Sequence, residues 1–368
     1  MESDQKITVP SIYVVSHDER HRGELNKALS GFYDVSVFVD APSTLGALEA
    51  GDPDVIIVAN DIPPSGGISL LVQQAVASGR KAGFLLTRQQ GENFSINLEN
   101  SGCTGRYLTW PFSGRALMGH IEELINENAE KAWEKLPEVH QQSLKMTVDE
   151  YQGIADKIAA GEPLQYDTAA ESCKPLVEAI GMGGHHDLLK SVQSHHNYTY
   201  VHSMRVATLL TMFGHGIGMR GDDLLVLSTG GLIHDVGKMV TPPNILDKPG
   251  KLTEEEWPIM RDHVVESANL LDAGDDMTKG AIIIAEQHHE KIDGTGYPKG
   301  LKGAELNELA RMSAIVDIFG ALTDERSYKP AFPTTKAFEI LESMQTGIDQ
   351  NLLMLFKDIF GGDPASGL

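Results

Sequence analysis

The sequence predicts two domains of different class: an N-terminal α/β unit built on a doubly wound parallel sheet, and a C-terminal unit that is all helix. Three observations predict this. At 368 residues the chain exceeds what one hydrophobic core commonly serves. From Ser11 to about Ile125, short apolar runs alternate with helical patterns, as in repeated βα units. From about Thr147 onward no strand pattern competes with helix.

Five strands are expected in order: IYVVS (Ile12–Ser16), YDVSVF (Tyr33–Phe38), DVIIVA (Asp54–Ala59), AGFLLT (Ala82–Thr87) and GRYLTW (Gly105–Trp110). Continuous apolar runs rich in Val and Ile suit strands covered on both faces, which is how parallel sheets are built. The charged helical stretch Ala116–Leu136 reads as a connection. The expected division is therefore 1–125 for the α/β domain, 126–150 for a connecting helix and 151–368 for the helical domain.

Composition narrows the function. A formal net charge of −22 argues against polymeric nucleic acid or anionic lipid as a partner. No apolar run approaches the roughly 20 residues of a membrane span, so no membrane insertion is expected. The polar start MESDQKITVP and only two cysteines, Cys103 and Cys173, lead to the expectation of a cytoplasmic, reducing environment.

The helical half carries the chemistry. LIHDVGK places His234 beside Asp235 at the end of an apolar helix. Side chains adjacent on a helix diverge by about 100°, so this pair needs ligands from elsewhere to enclose an ion. His202, His263, His288, His289 and Asp317 lie in or beside four further apolar helices. Five imidazoles and two carboxylates are too many titratable groups to bury without a shared positive charge. Imidazole and carboxylate without thiolate suit iron, manganese or zinc, and seven ligands exceed the needs of one ion. His185, His186, His195 and His196 read as loop or helix-end surface. His17, His21, His120 and His140 fall in the first half and its connection, and His215 at a helix end. Thr253 and Glu256 have capping-box spacing ahead of His263, with Pro258 one turn inside. Beside the ligands, HHEKIDGTGYPKGL offers Tyr297 in a glycine-rich loop, and LTDERSYKP offers Arg326 and Lys329 as cations for an anionic ligand.

The N-terminal half resembles a response-regulator receiver domain, with Pro63, Thr87 and Trp110-Pro111-Phe112 at signpost positions. Its switch chemistry is absent. Ser16 and His17 stand at the acidic pair, although Asp18 follows; Ala59 stands at the phosphoacceptor, with Asp61 two residues on; Trp110 replaces the lysine. The resemblance therefore implies a degenerate receiver kept for docking or dimerisation.

From about Tyr198 to Leu353 the chain resembles the HD-GYP family of cyclic di-GMP phosphodiesterases, through YTYVHS, LIHDVGK, NILDKPGKLTEEEW, HHEKIDGTGYPKGLKG and ARMSAIVDIFGALTDERSYKP. This implies an HD-type helical bundle in which His202, His234, Asp235, His263, His288, His289 and Asp317 are metal ligands. Asp235 would bridge two ions, expected to be iron with manganese as the alternative. Lys238, Tyr297, Arg326 and Lys329 would meet substrate phosphates and guanines, with Asp235 and Lys238 closest to the chemistry. The products would be pGpG, GMP or both. Two departures matter. Tyr198 stands where some members carry a third-metal glutamate, and Gly320 where the DxFDAL pattern has a second aspartate. Two alternatives follow: a cyclic di-GMP receptor with little or no turnover, and a phosphohydrolase acting on another nucleotide phosphoester. Di-iron oxygenation, known in the wider superfamily, is opposed by the GYP block.

Overall fold

The computed structural model describes residues 9–360, apart from Asp61, Ser95, Glu99, Asn100, Ser194, Asp247, Pro249, Asp275 and residues 325–330. The chain divides into two compact units, Met1–Ala132 and Trp133–Leu368.

The first unit contains β1 (Ser11–Val15), α1 (Glu19–Leu29), β2 (Asp34–Phe38), α2 (Ala41–Ala50), β3 (Val55–Ala59), α3 (Gly67–Ala77), β4 (Gly83–Gln89), β5 (Gly105–Trp110) and α4 (Gly114–Trp133). All strand pairs are parallel and the order is β2-β1-β3-β4-β5. That is the 2-1-3-4-5 order of a doubly wound fold. Strand alternation splits the apolar residues between two cores. Ile12, Val14, Val55 and Ile57 pack with Ile121 and Leu124 of α4, whereas Tyr13, Val15, Ile56 and Val58 pack with Leu71 and Val72 of α3.

The helical caps in this unit use the acidic side chains nearest the strand ends. Asp18 accepts from the backbone N–H groups of Arg20 and His21 at the start of α1, and Asp40 accepts from Ser43 N at the start of α2. Asp18 is thus spent on capping a helix. Asp61 lies outside the described residues.

The second unit is helical throughout: α5 (Glu138–Ala160), α6 (Tyr166–Gly181), α7 (His185–Val192), α8 (Tyr198–Gly216), α9 (Gly221–Ile233), a 3-10 turn (Val236–Val240), α10 (Pro243–Leu246), α11 (Glu256–Arg261), α12 (His263–Asp272), α13 (Lys279–Gln287), α14 (Glu308–Thr323), α15 (Thr334–Ser343) and α16 (Gln350–Phe360). Among the described residues its only β pairing is the isolated bridge Asp293–Lys302. The expected connecting stretch 126–150 is shared between α4 and α5, with Pro137 preceding α5. His140, expected with the first half and its connection, belongs to this second unit and is buried.

Helix α8 runs through the core and is buried along most of its length. Two glycines let α9 approach its neighbours. A Cβ on Gly231 would lie 2.7 Å from Ala207 Cα of α8, and one on Gly230 would lie 2.5 Å from Ile284 Cδ1 of α13. Close packing at these glycines sets His234 at the end of α9 between the helices that carry the other ligands. The HDVGK glycine has a related task. A Cβ on Gly237 would lie 2.1 Å from the His263 carbonyl oxygen, and the Gly237 N–H donates to Ser267 Oγ at 2.8 Å. Only glycine lets the 3-10 turn rest against the first turn of α12.

Two local expectations need correction. Glu256 does accept from Thr253 N, at 2.7 Å, but this starts α11, and His263 opens a separate helix after a break at Asp262. His195 is buried, not surface: it stacks on Trp133 at 6.0 Å and meets Tyr200 edge-on at 4.9 Å.

Candidate metal centre

The seven candidate ligands converge. His202 comes from the second turn of α8, His234 and Asp235 from the junction of α9 with the 3-10 turn, and His263 from the start of α12. His288 and His289 follow α13, and Asp317 lies in α14. Asp235 is outside the regular helix, with φ −107° and ψ 14°. The helical divergence expected of an adjacent pair therefore does not apply, and His234 Nε2 comes within 3.2 Å of Asp235 Oδ2.

Asp235 faces two groups. Its Oδ2 looks toward His234 and toward His202 Nε2, 3.7 Å away; its Oδ1 looks toward His263 Nε2 at 3.2 Å and His288 Nε2 at 3.7 Å. Asp317 Oδ1 lies 2.9 Å from His202 Nε2 and 3.8 Å from His234 Nε2, while its Oδ2 lies 3.5 Å from His289 Nδ1. Three sets of side chains could each hold a metal ion: His202, His234 and Asp317; His263, His288 and His289; and His234, Asp235 and His288.

The donor atoms fit that use. His234 Nε2, His263 Nε2, His288 Nε2 and Asp235 Oδ1 are buried and make no hydrogen bond, although opposite partners lie nearby. Orphaned polar atoms of this kind are costly unless an ion satisfies them. The other ring nitrogen of each imidazole is already committed. Nδ1–H donates to the Gly231 carbonyl from His234 at 2.7 Å, to the Met260 carbonyl from His263 at 2.5 Å, and to the Ala285 carbonyl from His288 at 2.9 Å. Each of these carbonyls belongs to the last turn of a helix, where it has no intrahelical donor. The arrangement leaves Nε2 bare and aimed inward.

Electrostatics follow the same geometry. Burial works against the charged forms, but Asp235 and Asp317 override it at His234 and raise its pKa to about 10. Burial likewise opposes charge on His202, and Asp317 and Asp324 raise it all the same. Burial also opposes ionisation of Asp235 and Asp317, yet their histidine neighbours hold both well below the ordinary carboxylate range. Burial pushes His289 down to about 4 and His288 well below its usual value. The two ionised carboxylates thus draw protons onto the nearest imidazoles, and a metal cation would take the place of those protons.

The proposed substrate residues divide. Lys238 pairs through Nζ with Asp235 Oδ2 and also lines a cavity of about 130 Å³ with Tyr151, Gln152, Asn197 and Thr199. Tyr297 packs on His289 with ring centroids 4.8 Å apart, and the Arg261 guanidinium lies 4.9 Å from the centroid of the Tyr297 ring. Arg326 and Lys329 lie outside the described residues. Tyr198 stacks parallel to His202 at 6.3 Å.

Some contributors were missed in the sequence. Glu290, next to the ligand pair, is buried and accepts from the backbone N–H groups of Lys299, Gly300 and Leu301, which folds the GYP loop back onto its own start. Asp324 accepts from His202 Nδ1 at 3.1 Å and pairs with the buried Arg205. A carboxylate directly following a ligand pair, and another one turn beyond Gly320, were the available signals.

An all-helical unit that gathers histidines around an adjacent His-Asp pair is the hallmark of an HD domain. Residues 187–352 match the family model described as an HD domain. A cyclic di-GMP phosphodiesterase of Pseudomonas aeruginosa is 35% identical over 173 residues, covering 46% of this chain and 41% of that protein. A 3'3'-cGAMP-specific phosphodiesterase of Vibrio cholerae is 37% identical over 169 residues, covering 46% of this chain and 36% of that protein. This chain thus spans about two fifths of the length of these curated relatives. A solved structure described as an HDG"Y"P protein from Bdellovibrio bacteriovorus has the same fold, with a TM-score of 0.50 at 18% identity over 67% of this chain and 80% of that one. Among the described residues no helix is long and apolar enough to cross a membrane.

Proposed function

We propose that this chain hydrolyses cyclic di-GMP to pGpG, and onward to GMP, at a binuclear metal centre. One observation carries the reading: Asp235 lies between two ligand sets, with Oδ2 toward His202 and His234 and Oδ1 toward His263 and His288. A carboxylate so placed suits a bridge between two ions, with Asp317 completing one side and His289 the other. Iron is the proposed metal, with manganese as the alternative. When bound, such a pair supplies Lewis acidity toward a phosphoryl oxygen and lowers the pKa of a water toward neutrality.

The protein's own groups do the rest. The Lys238 ammonium stands beside Asp235 and offers its charge to a phosphoryl oxygen as negative charge develops there. Tyr297, seated on His289, forms a rigid wall for the nucleotide, and Arg326 and Lys329 are proposed as its remaining cationic contacts. Six of the seven candidate ligands are buried and His289 is partly exposed, so bulk water has little access to the cage. The N-terminal unit is proposed to serve docking or dimerisation, without phosphoryl chemistry.

A second substrate has comparable support. The cGAMP-specific relative is as similar as the cyclic di-GMP enzyme, so 3'3'-cGAMP is the competing reading. Incubation of iron- or manganese-loaded protein with each dinucleotide, read by chromatography, tests both. Linear products from cyclic di-GMP support the proposal, and products from cGAMP alone would replace it. Tight binding without products would make the chain a receptor.

A further inference from the structure

His202 differs from the other inward-facing histidines. His234, His263 and His288 follow helix ends and use carbonyls that the helix leaves over. His202 sits in the second turn of α8, where the preceding carbonyls are engaged by the helix itself. Its Nδ1 therefore needs an acceptor from another element.

Asp324 supplies it. This residue follows α14 and is buried, and its Oδ2 accepts from His202 Nδ1 at 3.1 Å. Its Oδ1 pairs with Nε of Arg205, which lies three residues beyond His202 on α8. Arg205 also donates to Thr323 Oγ1 at 3.1 Å, so the end of α14 is latched to α8 around the imidazole. Gly320, one turn earlier, faces the same ring: a Cβ there would lie 3.8 Å from His202 Cε1 and 4.0 Å from Nδ1. That is ordinary contact distance, so a side chain at 320 has room beside the ring.

We propose that Asp324 is the positioning residue of the His202 ligand, filling the role that a carboxylate at position 320 would otherwise take. Resting on the binuclear reading, it assigns to Asp324 the task of fixing the proton on Nδ1 and keeping Nε2 bare toward the ligand set. The carboxylate also raises the basicity of the imidazole as a donor.

The test uses the full chain and zinc alone as probe. In the zinc-loaded parent, ¹⁵N NMR of the histidine rings should show His202 protonated at Nδ1; protonation at Nε2 would overturn the proposal. Asp324→Ser should lower affinity at one of two zinc sites by about 10–100-fold in a chelator competition. Arg205→Met combined with Asp324→Ser removes the orphaned guanidinium, so loss that persists in this pair reports on His202 and not on a broken ion pair. Adding Gly320→Asp to that pair should restore affinity. Unchanged affinity in Asp324→Ser, or full recovery through Arg205→Met alone, would leave Asp324 a structural residue only. A parent chain that binds no zinc would instead sink the metal-centre reading itself.

Discussion

Glu290 provides a measure of how firmly the GYP loop is held. Its carboxylate is 1% exposed and accepts three backbone N–H groups: Lys299 at 2.6 Å and Gly300 at 3.0 Å on Oε1, and Leu301 at 3.1 Å on Oε2. No side-chain cation pairs with it among the described residues, since the Lys299 ammonium goes to Glu286. Hydrogen bonds to a charged acceptor are each worth about 1.5–3 kcal/mol. Glu290→Gln keeps an oxygen for two of the donors but turns an amide N–H toward Leu301 N, so one such bond is lost and about 2 kcal/mol with it. Glu290→Ala strands all three donors and should cost about 6 kcal/mol, a large part of the roughly 5–15 kcal/mol that holds a domain folded. Urea denaturation gives the stability change, and hydrogen exchange at residues 299–301 locates it. A Gln variant within about 0.5 kcal/mol of the parent, with those amides still protected, would refute the reasoning.

Other outcomes follow from the same geometry. Asp235→Asn should lose at least one of two ions per chain by elemental analysis while circular dichroism shows the helices intact; an undiminished pair would remove Asp235 as the bridge. Gly237→Ala drives a methyl into the His263 carbonyl and the Ser267 N–H, and should cost about 2 kcal/mol or more in urea unfolding, with wild-type stability as the contrary result. Burial lowers His196 from 6.5 to about 4, so the unfolded chain binds this proton more readily. Its contribution to stability is present above pH 6.5 and lost as the pH falls toward 4. His196→Gln should flatten stability against pH in that window, and an unaltered slope would exclude it. Small phosphodonors should leave the first unit unlabelled by mass spectrometry; an aspartyl phosphate at Asp18 or Asp61 would contradict this.

How much of this was legible depended on the range of the interaction that fixes it. The five strands appear within a residue or two of their sequence positions because continuous runs such as VIIVA must be covered on both faces wherever they fold. The convergence of His202, His234, His263, His288 and Asp317 was legible because burying so many polar groups in apolar helices demands a common solution. The partner of His202 was not: Asp324 is 122 positions away, and its place one turn beyond Gly320 does not say which imidazole it meets. His195 read as surface because its burial depends on Trp133, an aromatic at the far end of α4. The separation of α11 from α12 is likewise tertiary, since the 3-10 turn at Gly237 occupies the backbone near His263.

In the first unit the packing of the sheet is largely independent of the residues at its strand ends. Its two cores are made by strand residues such as Ile57 and Val58, which point to the faces, and none of the switch positions contributes to them except Ala59. Apart from Ala59, those positions lie at strand ends outside the two apolar cores. Arg22 donates to the carbonyls of Ser16 and His17, His21 meets the Trp110 ring edge-on at 5.2 Å, and Trp110 meets Phe112 at 4.7 Å. A guanidinium and aromatic rings thus surround the end of β1, where divalent-ion chemistry needs carboxylates. A phosphoryl group arriving there would find neither an aspartate at the end of β3 nor a lysine at the end of β5. Among the described residues the buried acids lie in the second unit: Asp235, Asp317 and Asp324 are held by imidazole or guanidinium neighbours, and Glu290 by backbone N–H groups. In the first unit the residues that pack the sheet and those at the strand ends are thus largely different residues, whereas in the second unit most candidate metal ligands are themselves buried in the helical packing.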